Sequence, residues 1–505
     1  MMIQSGRNFK MSGVTTRSKT RHQHENGAAS AHVNKVRKNE VTCQRYDVIS
    51  NSFNSYKESY ETIGNSEVGQ KIRHFLNKLF FPVCLVSTTP LIVFICWYTN
   101  IHCNGSYTEM FTRLRNGSVS FNLLEILSSI SVINSFTVGV VFGYFAWAVF
   151  WMRVLPGKRV TGPVTPNGNV PVYVDNGFLH YIVTMIGFCV LTIGLKMYGM
   201  TPTVVYDRFG ELLAFMICFA LVFVLILYFK GVFAPSSTDS GRTDGGFIFD
   251  YYWGTELYPR IFGVDVKVFT NCRFGMTVWP LLVCIYALKS YELYGFVDSM
   301  FVTTILQLAY ITKFFKWEAG YMQTIDIILD RVGFYICWGC LCWVPAIYPL
   351  VSQYLVSHPV RLGPLWASVI LGLGLVSVLV NYLADLQRQV VRKADGNCLV
   401  WGKRPDIIRA KYTIESGEER ESILLASGWW GLSRHFHYIP EILLSFFWTL
   451  PTGFVHMLPY TYVIVLLFLL THRSFRDENK CSRKYGKYWQ EYCAKVKHRI
   501  VPFLF

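Results

Sequence analysis

Charged residues are scarce in this chain of 505 residues. They make up 16% of it, whereas apolar side chains make up 52%, and the mean hydropathy is +0.30. Soluble globular domains ordinarily carry about 25% charged residues. The composition therefore argues against a soluble enzyme of several domains and indicates a protein that crosses a membrane several times.

The sequence motifs of several soluble enzyme classes are also missing. No Gly-x-Gly-x-x-Gly follows a strand pattern, and there is no Walker motif or Gly-x-Ser-x-Gly elbow. The 14 cysteines are scattered through apolar runs, which excludes a secreted disulfide scaffold. Cys337, Cys340 and Cys342 have a spacing that suits a metal or redox site, but they lack a second ligand pair. Packing as small apolar side chains is the favoured interpretation, and no metal is predicted.

The N-terminal segment lacks both an apolar period and a signal-peptide pattern. Without a short apolar stretch followed by a small-residue cleavage site, the first span is expected to serve as the targeting signal. Residues 1–70 are polar and are predicted to form a disordered, basic cytosolic tail. Its basic residues could contact anionic lipid or nucleic acid, although a solvated flank is favoured: Arg17, Lys19, Arg21, Lys35, Arg37 and Lys38.

From Leu79 onward, apolar stretches long enough to cross a bilayer recur, at about 20 residues per span. The predicted fold class is therefore all-α, a polytopic membrane protein of about ten transmembrane helices. The stretch 423–450 is interrupted by Trp, Arg, His and Pro, so it could also be a re-entrant or cavity-lining segment. The predicted spans are 79–98, 130–151, 177–198, 211–229, 274–290, 299–315, 332–351, 364–384, 423–450 and 455–471.

The distribution of positive charge predicts the orientation. Residues 1–78 hold 13 Lys and Arg against 6 acids, and residues 472–505 hold 9 against 3. Because Lys and Arg near span ends stay cytoplasmic, both termini are expected in the cytosol. The loop 99–129 then lies on the other side, where it carries two glycosylation sequons, at Asn104 and Asn116.

Three polar clusters stand at or beside the predicted spans, where ionisable side chains are costly and mark candidate functional sites. In the first, Asp326 and Asp330 would share one face of a helix, although pairing across a short turn explains each charged residue of the cluster equally well. The members of this cluster are Tyr310, Lys313, Lys316, Glu318, Asp326, Asp330 and Arg331.

The second and third clusters follow in the C-terminal part of the chain. Arg388 and Arg392 lie one helical turn apart and could together hold a phosphate with their planar guanidinium donors, or they could be ordinary juxtamembrane basic residues. In residues 424–503, aromatic rings, histidines and cations occur close together. That density favours a pocket for a large, flat, anionic molecule over an aromatic belt with a basic flank.

Several long motifs resemble those of the membrane sterol reductases, a family of delta-14 sterol reductases, the lamin B receptor and 7-dehydrocholesterol reductases. The segment GTELYPRIFGVDVKVFTNCRFGM at 254–276 resembles the first signature of that family, and 424–441 with its Lys- and Tyr-rich tail resembles the second. The resemblance spans about 80–505. Four motifs are most similar to the 7-dehydrocholesterol (delta-7 sterol) reductase branch: KFFKWEAGY (313–321), GFYICWGCLCWVP (333–345), DGNCLVWGK (395–403) and RHFHYIPEI (434–442).

Within that branch, the chain resembles the plant-type members. Vertebrate members have FNY followed by Gly-Asp, whereas this chain has FHY followed by Pro440 and Glu441. They also have Lys at the position of Arg388.

The resemblance implies a ten-helix endoplasmic-reticulum enzyme that uses NADPH to reduce a ring double bond of a sterol. Its partners would be the sterol and membrane lipid, with no nucleic acid expected and an association with other sterol-biosynthesis enzymes left open. The reductase domain would cover 71–505, with a cytosol-facing cofactor pocket mainly in 385–505. Motif matching assigns the cofactor contacts to Arg388, Arg392, Leu425, Trp430, His437, Tyr438, Asp477, Cys481, Ser482, Arg483, Lys484, Tyr485 and Tyr492.

The expected reaction also requires an acid. A carbon–carbon double bond without a conjugated carbonyl needs a proton on one carbon and a hydride on the other, so a proton donor must lie across the sterol from the nicotinamide. Tyr310 is the first candidate, followed by Glu318, Asp326 and Asp477.

The expected reaction is reduction of the C7–C8 bond of delta-5,7 sterols in sterol biosynthesis. A delta-14 sterol reductase is the enzymatic alternative. Isoprenylcysteine methyltransferases share a similar tail but are much shorter. A non-enzymatic scaffold similar to the lamin B receptor is a further alternative, although the polar residues ahead of the first span are few for a folded reader domain.

Overall fold

The computed structural model describes residues 67–116, 132–162, 164–165, 167–413 and 419–504. By its contacts the chain divides into two units, 1–76 and 77–505. Of the first unit, the helix Glu67–Phe75 and the residue after it are described. The predicted tail before residue 67 and residues 117–118 of the second sequon lie outside the described residues.

Eight helices in the described part of the chain are long and apolar enough to cross a membrane. Each overlaps one of the predicted spans, and the all-α polytopic class is confirmed. Their outward side chains include large apolar groups such as Ile193 and Phe233, which are 63% and 79% exposed and suit contact with lipid. The eight are Gly69–His102, Ser135–Val154, Gly177–Met197, Phe209–Phe233, Val266–Tyr294, Phe334–Ser357, Gly363–Lys393 and Leu458–Tyr485.

Three of these spans contain a π-helical segment in the described residues. Leu76–Phe80 lies in the first span, and the other two segments, Phe269–Gly275 and Phe334–Trp343, pack against each other. Such segments are rare and are frequent at functional sites. Cys337, Cys340 and Cys342 lie in Phe334–Trp343 as buried free thiols. The remaining helices are Tyr107–Asn116, Val204–Asp207, Gly246–Trp253, Asp298–Lys316, Glu318–Tyr321, Ile325–Ile328, Trp429–Leu432, Tyr438–Thr449 and Lys487–Lys495.

The other two predicted spans take different forms. Span 299–315 is the helix Asp298–Lys316, here called the central helix, which packs against the helices on either side of it and against Gly363–Lys393, here called the long helix. The prediction of one span over 423–450 is wrong in its first part. That stretch begins as a strand and only later becomes the helix Tyr438–Thr449, here called the site helix.

Within the described residues, three antiparallel two-stranded hairpins interrupt the helices, and the sequence analysis predicted none of them. The longest pairs Ile407 with Leu425 at one end and Thr413 with Glu419 at the other. Its inner face is apolar because Leu425 packs with Val391 of the long helix and with Trp430. The strands are Lys158–Thr161 with Val172–Asp175, Arg260–Ile261 with Val264–Asp265, and Ile407–Thr413 with Glu419–Leu425.

A buried ion pair joins the first signature to the short helix Glu318–Tyr321, which follows the central helix. Arg273 is 0% exposed and Glu318 is 1% exposed. The Arg273 guanidinium donates to both oxygens of Glu318, and its Nη2 also donates to Asn176 Oδ1 at 2.9 Å. At Gly177 a Cβ atom would clash with the Glu318 carboxylate, so glycine is needed where the carboxylate approaches the backbone. Glu318 therefore has a structural role, which disfavours it as a proton donor.

Breaking this pair is expected to destabilise the protein. Glu318→Leu leaves the Arg273 guanidinium buried without its carboxylate, which typically costs about 3–5 kcal/mol. The melting temperature of the purified protein in detergent should fall markedly. The control Asp406→Asn, at an exposed ion pair with Lys495, should leave it nearly unchanged. Equal melting temperatures for the two variants would contradict this role.

Candidate active site

Residues predicted to bind the cofactor come together at one end of the helix bundle. Trp430 Nε1 donates to the carbonyl of Ala384 in the long helix at 2.8 Å, and Tyr492 donates to the carbonyl of Trp430 at 3.3 Å. Arg392 Nε donates to the carbonyl of Ile423 in the hairpin at 3.3 Å. The long helix, the hairpin and the C-terminal segment thus meet around Trp430, which is 4% exposed.

Two arginines in this region have no close ion-pair partner among the described residues. Arg388 lies over the Trp430 ring at 4.1 Å, and its nearest acidic partner is Asp385, at 3.8 Å. For Arg392, no ion pair occurs within the described residues. By contrast, nearby arginines such as Arg409 and Arg434 form close pairs with carboxylates. Two neighbouring guanidinium groups without a strong internal partner suit an anion such as phosphate.

Two histidines in this region have polar atoms that lack a partner. His437 contacts the rings of Trp430 and Tyr438, and its Nδ1 is buried without a hydrogen bond in the described structure. The His435 ring stacks on Tyr438, and its Nε2 is likewise buried and unpartnered. Burial lowers the pKa of His435 to about 4, so the ring is neutral at pH 7. Buried polar atoms ordinarily have partners, so a bound ligand is a direct explanation for these two.

The helix Thr461–Tyr485, here called the C-terminal helix, is fixed by ion pairs. Arg473 binds Asp326, and Arg476 binds Asp330 at 2.8 Å. The helix containing Asp326 covers only Ile325–Ile328. The helix that would place Asp326 and Asp330 on one face therefore ends before Asp330, and the alternative of separate pairing describes both residues. The paired state of Asp326 disfavours it as a proton donor.

Asp477 lies beside these pairs but forms no ion pair within the described residues. One turn later, Cys481 Sγ donates to Asp477 Oδ2 at 3.8 Å. The neighbouring Glu478 is different, since it is bound by Arg434 and Arg499 at 2.6 Å each. Asp477 is thus the carboxylate in this part of the C-terminal helix that remains available to a ligand.

The predicted contacts at the end of the C-terminal helix lie at the surface. Ser482, Arg483 and Lys484 are exposed, and Lys484 Nζ lies 3.9 Å from the Tyr412 ring of the hairpin. Tyr485 packs edge-on against Tyr412. Burial raises the pKa of Tyr492, which therefore stays a neutral hydroxyl donor. Ser482, Arg483 and Lys484 thus lie on the outer side of this region, whereas Tyr492 is buried beside Trp430.

Tyr310 lies on the central helix, inside the helix bundle. Its hydroxyl donates to Glu441 Oε1 of the site helix at 2.6 Å. Its ring packs on Trp279 and Trp448, both 0% exposed. Tyr310 and Glu441 themselves are only half-buried, which is typical of groups that line an internal opening.

A polar path connects Tyr310 with the arginines. Lys313, one turn after Tyr310, donates to Asn381 of the long helix and lies 3.5 Å from Asp385. Asn381 donates to the carbonyl of His437 at 2.9 Å. The sequence analysis missed Asn381, although a buried amide inside an apolar span is a signal for a functional or packing role. No group of His, Cys, Asp and Glu suited to a metal occurs in the part of the chain that the structure describes.

Comparisons with known proteins agree with this architecture. Residues 65–505 match the model of the ergosterol biosynthesis ERG4/ERG24 family. The chain is 49% identical to the 7-dehydrocholesterol reductase of Arabidopsis thaliana, over 83% of this chain and 96% of that protein. It is 36% identical to the 7-dehydrocholesterol reductase of Danio rerio, over 70% of this chain and 75% of that protein.

A relative with a different name has a similar level of identity. The Delta(14)-sterol reductase of Methylotuvimicrobium alcaliphilum is 36% identical, over 69% of this chain and 79% of that protein. The family match covers all of the described residues, and it includes both signatures and every residue of the candidate site. The chain therefore belongs to the ergosterol biosynthesis ERG4/ERG24 family of membrane sterol reductases.

Proposed function

We propose that this protein reduces the C7–C8 double bond of delta-5,7 sterols with NADPH as the reductant. The observation that carries the proposal is the arrangement of groups that no close ion pair engages in the described residues. A hydroxyl donor, Tyr310, lies inside the apolar bundle, and a polar path leads from it to the cationic, aromatic end at Arg388, Arg392 and Trp430. Relatives named 7-dehydrocholesterol reductase, one of them 49% identical, favour this substrate.

The residues at the cationic end fit a phosphorylated dinucleotide. Arg388 and Arg392 would hold phosphate groups, and the exposed Arg483 and Lys484 add positive charge beside them. Trp430 and Tyr438 offer aromatic faces, and the unpartnered ring nitrogens of His435 and His437 offer hydrogen bonds. When bound there, NADPH supplies the hydride. The number of cations favours NADPH over NADH through its additional phosphate.

Tyr310 is the proposed proton donor. Its hydroxyl is neutral, it stands among buried tryptophans, and it keeps accessible surface inside the bundle. Asp477, which the sequence analysis ranked after Glu318 and Asp326, becomes the second candidate because no ion pair in the described residues engages it. The other two candidates, Glu318 and Asp326, are bound to arginines.

The proposed setting is the endoplasmic reticulum membrane, with both termini in the cytosol. The basic residues at both ends of the chain support this orientation by the positive-inside rule. The cofactor pocket would then open to the cytosol, where NADPH is available. Membrane lipid would surround the spans and deliver the apolar sterol laterally.

Reversing the charge of Arg392 is expected to weaken cofactor binding. The variant Arg392→Glu removes a charge-assisted hydrogen bond, worth about 1.5–3 kcal/mol, so the Kd for NADPH should rise by roughly tenfold to a hundredfold. Tryptophan fluorescence titration of the purified protein measures this change. Arg404→Glu, the same charge reversal at an exposed position, is the matched control and should bind as the wild type does. Equal affinities in both variants would remove Arg392 from the phosphate site.

Removal of the Tyr310 hydroxyl is expected to stop the reduction without preventing cofactor binding. Loss of a general acid typically lowers a rate by about 10²–10⁴-fold. Microsomes with the wild type or Tyr310→Phe would receive NADPH and either a 5,7-diene or an 8,14-diene sterol, and mass spectrometry would follow the products. The wild type should reduce the 7,8 bond. Reduction of only the 8,14-diene would favour a delta-14 reductase, and full activity of Tyr310→Phe would exclude Tyr310 as the acid.

A further inference from the structure

Glu441 is the hydrogen-bond partner of the Tyr310 hydroxyl in the described structure. The oxygen-to-oxygen distance of 2.6 Å is short enough for a proton to move directly between the two groups. The carboxyl forms no ion pair within the described residues, unlike Glu318 or Glu478. No arginine in the described structure therefore holds Glu441 in its ionised form, so the carboxyl can carry a proton.

Three helices place their polar residues toward one another around this pair. Lys313 follows Tyr310 by one turn on the central helix, and Glu441 follows His437 by one turn on the site helix. On the long helix, polar side chains at every turn from Asn381 to Arg392 extend over roughly 16 Å. The connections are Lys313 to Asn381, Lys313 to Asp385, Asp385 to Arg388 and Asn381 to His437.

A tyrosine that gives its proton to a sterol needs a means of recovering it. The resulting phenolate would be a charge beside two fully buried tryptophans, where an unpaired ion is costly. A neighbouring carboxyl that can return the proton would remove that charge.

We propose that Glu441 is a positioning residue that orients the Tyr310 hydroxyl and returns a proton to it after each turnover. This inference rests on the proposed function. In the return step, the O–H bond of the protonated Glu441 carboxyl breaks and an O–H bond forms on the Tyr310 phenolate. Glu441 becomes a carboxylate, which the Lys313 ammonium on the adjoining turn of the central helix stabilises. A solvent hydronium ion then restores the proton on Glu441, so one proton enters for each one delivered.

The test compares single and multiple turnovers of Glu441→Gln. The amide preserves the shape and can still accept the Tyr310 hydrogen bond, but it cannot supply a proton. A rapid-quench experiment with NADPH and the 5,7-diene sterol should therefore show a first turnover within about threefold of the wild-type rate. The following turnovers should be at least tenfold slower, with little change in KM or in the Kd for NADPH.

Two further variants complete the experiment. Glu441→Asp keeps a carboxyl and should restore most of the steady-state rate, and Glu491→Gln, at an exposed position, should behave as the wild type. Steady-state turnover of Glu441→Gln equal to that of the wild type would overturn the return step. Equal slowing of the first and later turnovers would overturn it as well, because it would leave Glu441 with a structural role only.

The Tyr310→Phe variant separates this inference from the proposed function. If Tyr310→Phe is inactive and Glu441→Gln is unaffected, Tyr310 stays the acid and only the return step is wrong. If Tyr310→Phe is fully active, the proposed acid is wrong, and the return step falls with it.

Discussion

The cost of placing ionisable side chains among apolar helices governs this structure. The chain brings arginines, lysines and carboxylates into or beside its spans, and each needs a partner there. Most of them find one within the protein, as Arg273 and Glu318 do with almost no exposure. A smaller set of these side chains has no close ion-pair partner, and its members lie close together. This difference separates the residues that hold the helices in place from those available to a cofactor and a sterol.

The ion-paired residues also position the groups that have no close ion-pair partner. Lys267, at 1% exposure, donates to the carbonyls of Ile327 and Asp330 at 2.7 and 2.6 Å. It thereby fixes the short segment whose two aspartates bind Arg473 and Arg476. Those arginines set the rotation of the C-terminal helix, which carries the available carboxylate of Asp477. The first signature thus supports the site from a distance, through backbone contacts and ion pairs.

The sequence was sufficient for the general architecture, and several of the residues that it predicts to bind the cofactor come together around Trp430. Hydropathy alone places eight spans because a bilayer demands long apolar helices. Hydropathy did not predict the structure of 423–450, where aromatic and aliphatic residues form first a strand and then a helix. A strand and a helix can both bury apolar surface, so hydropathy does not distinguish them. The roles of Glu318 and Asp326 were also beyond it. A carboxylate near a span looks the same in sequence whether it holds an arginine or a proton, and only the three-dimensional partner distinguishes the two.

The central claim is that the ligands are bound by the polar groups outside the close ion pairs, and not by the ion-paired residues. The most direct measurement is a cryo-EM structure of the protein in nanodiscs with NADPH and a 5,7-diene sterol. The account predicts dinucleotide density in contact with Arg388, Arg392 and Trp430, and sterol density whose second ring reaches the Tyr310 hydroxyl. Dinucleotide density away from these arginines, or a sterol ring system out of contact with Tyr310, would contradict it.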